Sequence, residues 1–136
     1  ETLQALSSTK QNMPPPIERA AALSLIEEAN LYINNNKSEI AFDKCYHAAG
    51  NAQVRGKALA CMGEAEFTRG RTGEAIKWGE RALKERGLPA KDVYLLLGRS
   101  YIKNNNCRKA RVFFLKVING SDSNNPEALK GLELCK

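Results

Sequence analysis

The residues of this 136-residue chain best suited to bind a metal are its four cysteines, Cys45, Cys61, Cys107 and Cys135, and its single histidine, His47. A structural zinc site is usually built from closely paired ligands, as in a CxxC motif. No two of these cysteines are spaced in that way, and only Cys45 lies near the histidine. The sequence therefore predicts no metal site and no other cofactor.

Side chains that could carry out acid–base or nucleophilic catalysis are equally sparse. Glu64 and Glu66 are two residues apart on a predicted helix, so their side chains point to different sides and do not form an acid–base pair. The sequence contains no serine–histidine–aspartate set, P-loop or glycine-rich phosphate-binding loop. We therefore expect the chain not to be an enzyme.

Positive charge is concentrated towards the C-terminal third of the chain. The formal net charge is +6, and the excess lies between Arg99 and Lys116. Such a face is usually solvated, but it can also bind an acidic protein or an anionic surface. Because no aromatic residues are interleaved at stacking spacing, binding to nucleic acid is not expected. The candidate basic patch comprises Arg108, Lys109, Arg111 and Lys116.

Small side chains recur in this chain at a spacing of 34 and then 35 residues. A period near 34 is typical of stacked helix–turn–helix repeats. Small residues at such positions let neighbouring helices approach closely. The two columns are Ala29, Gly63 and Gly98 in the first helix of each unit, and Ala41, Ala75 and Ala110 in the second.

Most of the cysteines fall at positions where this repeat accepts a small or medium core residue. A free cysteine packs as a small hydrophobe, and widely spaced core thiols are typical of a reducing compartment. The sequence therefore predicts a cytoplasmic location, with the periplasm as the alternative.

Local signals predict where the helices begin and end. The first helix is expected over residues 17–33, opened by Pro16. The triple asparagines at 34–36 and 104–106 predict turns, since asparagine tolerates the left-handed conformation. Ser38 and Thr72 are predicted to be N-caps of the helices that follow.

The chain resembles the tetratricopeptide-repeat (TPR) proteins. The resemblance is carried by residues 56–83, GKALACMGEAEFTRGRTGEAIKWGERAL, and by residues 91–118, KDVYLLLGRSYIKNNNCRKARVFFLKVI. Residues 22–49 are a weaker copy, and Glu66 stands where the family usually has an aromatic residue. The resemblance implies an all-α solenoid of about seven helices wound as a right-handed superhelix.

The same resemblance implies the domain organisation. We expect a flexible segment over residues 1–16 and a TPR-like domain over residues 17–136. The domain would comprise repeats at about 22–55, 56–90 and 91–125, followed by a C-terminal capping helix at 126–135.

TPR-like stacks bind their ligands mainly on a concave face, which is lined by the first helix of each unit. The resemblance therefore implies a protein-interaction module that binds a helical or extended segment of a partner protein. Six of the expected groove residues would form an exposed apolar strip: Leu23, Ile26, Ile33, Phe67, Leu95 and Ile102. The other expected groove residues are Asn30, Lys57, Ala60, Glu64, Asp92, Arg99 and Lys103.

One TPR subgroup binds the C-terminal carboxylate of chaperones with basic and asparagine side chains. Of the corresponding positions here, only Asn30 fits that pattern. Because the others hold Ile26, Cys61, Asp92 and Leu96, carboxylate binding of this kind is not expected.

Several alternatives remain open at this level. The groove could be filled by residues 1–16 of the same chain or by a dimer partner. The module could act as a scaffold or adaptor in a bacterial signalling or motility complex, or as a structural part of a pilus or secretion assembly. The basic third repeat could instead bind an acidic partner or an anionic surface.

Overall fold

The structure, a computed structural model, describes residues 13–85 and 90–136, and every regular element in these ranges is an α-helix. The predicted all-α fold is therefore confirmed. The seven described helices are α1 Arg19–Asn34, α2 Ser38–Ala48, α3 Arg55–Thr68, α4 Thr72–Ala82, α5 Ala90–Lys103, α6 Cys107–Ile118 and α7 Pro126–Leu134.

The helices form three helix–turn–helix units and a final capping helix. The units are α1–α2, α3–α4 and α5–α6, and α7 packs against both helices of the third unit. The first helices contact one another in succession, α1 with α3 and α3 with α5, whereas no comparable contact joins α2 to α4 or α4 to α6 in the described ranges. The first helices therefore line the inner, concave side of the stack, and the second helices form its outer, convex side.

The turn inside each unit has, at the same position, a residue in the left-handed backbone conformation. Asn36, Gly70 and Asn105 have φ values of +61°, +81° and +58°, which confirms the turns predicted from the asparagine triplets. In each turn the next residue donates its N–H to the carbonyl five residues earlier, at 2.8 Å. These bonds satisfy carbonyls that would otherwise be left without partners at the helix end.

The predicted N-caps at Ser38 and Thr72 are wrong by one residue. Each is the first residue of its helix, and the cap positions belong to Lys37 and Arg71, which make no side-chain cap bond. The reason is that the left-handed turn uses one residue fewer than the sequence suggested. In the third unit the same position holds Asn106, whose side chain accepts a hydrogen bond from the N–H of Lys109.

The first helix also begins later than expected. Pro16 does not open it, because α1 starts at Arg19 with Glu18 at the cap position. Instead, the carbonyl of Pro15 lies against Gly50, and Asn51 donates a side-chain hydrogen bond to the carbonyl of Ile17 at 3.0 Å. The chain before α1 is thus held at the corner between α2 and α3.

The two columns of small residues lie at the closest contacts between helices. All four alanines of these columns are fully buried: Ala29, Ala41, Ala75 and Ala110. A Cβ atom on Gly63 would lie 2.7 Å from Cδ2 of Leu96, and one on Gly98 would lie 2.5 Å from Cζ of Phe114. Since real Cβ contacts are longer than this, a side chain at either position would require Leu96 or Phe114 to shift.

The cysteines are paired, so the expectation of separate core thiols is wrong. Cys45 of α2 is bonded to Cys61 of α3, and Cys107 of α6 is bonded to Cys135, which follows α7. The Cα–Cα distances are 5.9 and 5.2 Å, within the range that disulfides span. The stacking explains the pairing, because it places the second helix of one unit against the first helix of the next.

We predict that both disulfides stabilise the stack. They close loops with sequence separations of 16 and 28 residues, for which chain entropy gives about 3–4 kcal/mol each. The air-oxidised chain should show no free thiol after denaturation, and reduction should lower its urea midpoint markedly. Replacing one pair, Cys45→Ala with Cys61→Ala, should cause only part of that loss. Four reactive thiols in the air-oxidised chain, or a urea midpoint unchanged by reduction, would contradict the pairing.

Candidate functional site

A groove with a volume of about 350 Å³ lies on the concave side. It is lined by residues of α1, α3, α5 and the capping helix α7, so every unit contributes to it. Eight of the residues expected from the sequence are brought together here: Ile26, Asn30, Lys57, Ala60, Glu64, Asp92, Leu95 and Arg99. Four further residues complete the lining: Cys61, Val93, Leu96 and Glu127.

The remaining expected residues lie outside this groove. Phe67 and Lys103 line a separate depression near the turn of the second unit. Leu23 packs against a small apolar cluster that contains Ala22 and Val54. Ile33 and Ile102 are half-buried against the main core.

The expected exposed apolar strip is therefore not continuous. Leu95 is only 7% exposed, because α5 packs between α3 and α7. Ile26 is half-buried against the apolar cluster at the start of the stack. The apolar part of the groove is a recessed wall rather than an open strip.

Arg99 crosses the groove and joins three helices. Its guanidinium donates to both carboxylate oxygens of Glu64 on α3, at 2.9 and 3.2 Å. Its Nε lies 2.5 Å from a carboxylate oxygen of Glu127 on α7. The guanidinium carbon also lies 5.3 Å from the centre of the Phe67 ring, within cation–π range. One side chain therefore links the second unit, the third unit and the cap.

These contacts determine the charge that the groove offers to a ligand. Burial lowers the pKa of the Arg99 guanidinium, but the hydrogen bonds and charges of Glu64 and Glu127 outweigh it and raise the pKa above its usual value. The cation is therefore already neutralised by two carboxylates. Lys57 and Asp92 are the other charged groups in the groove lining, and both are exposed.

Glu127 also lines the groove, although the sequence did not place it there, because α7 was interpreted only as a cap. A signal for it exists in the repeat spacing. Lys57, Asp92 and Glu127 are each 35 residues apart and occupy the same position in successive first helices. Extending the repeat by one helix would have placed Glu127 in the groove.

The basic patch lies on α6, whose unit contributes to the groove only through α5. Arg108, Lys109 and Lys116 are exposed, and Arg111 is half-buried. The ammonium groups of the two lysines lie 5.5 and 5.7 Å from the ring centres of Tyr101 and Tyr94, respectively. The patch therefore belongs to the convex side of the molecule, away from the concave groove.

The two carboxylates considered for catalysis lie on different sides of α3. Glu64 lies in the groove, while Glu66 is buried at the other side of α3 and bonds to Arg69 at 2.9 Å. Burial raises the pKa of Glu66 despite the neighbouring arginines. The described residues contain no cluster of three or more potential metal ligands. Among these residues, no helix is both long and apolar enough to cross a membrane.

Comparison with solved structures identifies the architecture. The fold is similar to that of the structure titled "First TPR of Spaghetti (RPAP3) bound to HSP90 peptide SRMEEVD", with a TM-score of 0.78 and 18% sequence identity. The alignment covers 88% of this chain and 93% of that one. The chain has a TPR fold. No protein-family profile and no curated protein matches the sequence, so the TPR assignment rests on architecture and on the repeat pattern.

We predict that Arg99→Met destabilises this TPR fold. The change leaves the partly exposed carboxylates of Glu64 and Glu127 facing each other without their shared cation, at a cost on the order of 1–2 kcal/mol. Chemical denaturation should show the loss, and adding Glu64→Gln should recover part of it. The control is Arg108→Met, which removes an exposed arginine and should have little effect. Equal stability of the two arginine variants would show that the Arg99 network does not join the units.

Proposed function

We propose that the chain is a non-enzymatic protein-interaction module that binds a segment of a partner protein in the concave groove. The observation that carries this proposal is the groove itself, to which all three units and the cap contribute. Ligand pockets of about 300–1,000 Å³ with apolar walls and a few polar groups are typical of binding sites. The similar TPR structure, whose title records a bound peptide, supports a peptide as the ligand.

The lining favours an internal segment over a C-terminal carboxylate. Arg99 is the one arginine in the groove lining, and it is already paired with two carboxylates. The carboxylate-binding positions of the chaperone-binding subgroup hold Ile26, Cys61, Asp92 and Leu96. The ligand we infer places one or two apolar side chains against the wall formed by Ile26 and Leu95.

The two disulfides are informative about the compartment in which the module functions. Two disulfides form and persist most readily in an oxidising compartment. We therefore favour a location outside the cytoplasm, such as the periplasm, over the cytoplasmic location expected from the sequence. This location also favours a role in a pilus or secretion assembly over one as a signalling or motility adaptor. Residues 1–16 were expected to be an alternative occupant of the groove, and residues 1–12 of that segment lie outside the described residues.

The decisive experiment measures peptide binding after a bulky side chain has been introduced into the groove. Peptides selected from a random display library against the intact chain should bind it in calorimetry. Ala60→Arg places a long side chain in the groove and should weaken that binding at least tenfold. The matched control is Ala21→Arg, on the exposed opposite side of α1, which should bind like the unmodified chain. Both variants should retain the helical circular dichroism of the parent.

Two results would contradict the proposal. Selected peptides that bind Ala60→Arg as tightly as Ala21→Arg would place the ligand elsewhere. Micromolar binding of the peptide SRMEEVD, lost in a version with an amidated C-terminus, would show that carboxylate recognition occurs in spite of the Arg99 pairing.

A further inference from the structure

The outer face of α6 combines basic side chains with exposed aliphatic side chains. Arg108, Val112 and Leu115 follow one another at steps of four and three residues, so they form one line along the helix. Val112 is 47% exposed and Leu115 is 37% exposed. By helical geometry, Arg111 lies on one side of this line, and Lys109 and Lys116 lie on the other.

The cations on this face are not neutralised by the protein. Helix α6 contains four basic residues and no acidic residue. In the described part of the chain, no carboxylate lies within ion-pair distance of any of the four. Some lysines elsewhere do have a carboxylate partner: Lys77 lies 3.5 Å from a Glu74 oxygen, and Lys91 lies 3.5 Å from an Asp122 oxygen. Arg111 donates a hydrogen bond to the carbonyl of Cys135 at 3.4 Å, but the charge of all four side chains remains uncompensated and can attract an anionic partner.

The flanking lysines, Lys109 and Lys116, lie beside a row of aromatic rings. Tyr94, Phe113 and Tyr101 form a row in which the Phe113 ring is 6.1 and 5.8 Å from the two tyrosine rings. Lys116 lies over one end of the row and Lys109 over the other. The ammonium groups of both lysines thus lie within cation–π range of a tyrosine ring while the lysines themselves remain exposed.

The shape and size of this face indicate what kind of anionic partner fits. It lies on the convex side, and none of its residues lines the concave groove. A 12-residue helix presents a strip of about 18 by 10 Å. This area is far below the roughly 800 Å² per partner of a stable protein–protein interface. A planar anionic surface needs no minimum area, because attraction accumulates with each cation.

We propose that the outer face of α6 binds an anionic lipid bilayer, with Val112 and Leu115 dipping into the headgroup region and the four cations contacting the headgroups around them. This site is independent of the concave groove. The module could therefore bind a partner segment on one side while its other side rests on a membrane.

Vesicle sedimentation with the full chain tests this proposal. The chain should bind vesicles of phosphatidylcholine with 30 mol% phosphatidylserine at 50 mM salt, and neither pure phosphatidylcholine vesicles nor the mixed vesicles at 0.5 M salt. Arg108→Gln with Lys116→Gln should weaken binding about 25-fold, at about fivefold for each cation. The control, Lys37→Gln with Lys77→Gln, removes the same net charge from outside α6 and should change binding less than threefold.

A second pair of variants tests the apolar contribution. Val112→Ser with Leu115→Ser should weaken vesicle binding, while Leu31→Ser with Ile40→Ser, also at exposed positions, should not. The groove variant Ala60→Arg should bind vesicles normally, so failure of the groove proposal would leave this one intact. Failure to bind the mixed vesicles at low salt, equal losses in the α6 pair and its control, or binding to soluble polyglutamate but not to vesicles would each overturn the proposal.

Discussion

The structure depends on the close approach of helices at positions that have no side chain. Phe114, only 1% exposed, lies between α5 and α7 and faces Gly98 on one side and Gly131 on the other. A methyl group at either glycine would overlap the phenyl ring. Because this contact sets how closely the cap and the third unit stack, it also sets the width of the groove that α5 and α7 line. The same principle operates at Gly63, where Leu96 of the next unit occupies the space of the absent side chain.

Each boundary between units has, in addition, at least one specific link that packing alone does not provide. The first boundary has the Cys45–Cys61 disulfide, and the second has the Glu64–Arg99 ion pair. The boundary with the cap has the Cys107–Cys135 disulfide. Terminal units of a solenoid have a neighbour on one side only, and the two covalent links lie at the boundaries of the first unit and of the cap. The stack thereby presents two separate surfaces, a concave groove and the convex face of α6.

The parts predicted from the sequence are those encoded by local repetition. The 34- and 35-residue spacing identified the units and the small-residue columns, and the resemblance to TPR proteins implied which helices line the concave face. The disulfides were not predicted, because pairing Cys45 with Cys61 requires knowing which faces of successive helices meet. The burial of Leu95 was missed because it depends on packing against both α3 and α7. Glu127 was missed because the repeat was not extended into the cap, and the N-caps were displaced because the turn is one residue shorter than expected.

The most direct test of this account is a double-mutant cycle between Gly98 and Phe114, measured by chemical denaturation. Gly98→Ala should destabilise the parent chain, because the new Cβ would lie 2.5 Å from the ring of Phe114. In a Phe114→Leu background the same change should become neutral or stabilising, since alanine is favoured over glycine within helices by roughly 0.5–1 kcal/mol. Gly73→Ala, which has no neighbouring atom within 4 Å of its Cβ position, should have the same effect in both backgrounds. Additive effects of Gly98→Ala and Phe114→Leu would contradict the claim that glycine-dependent close packing determines the stack.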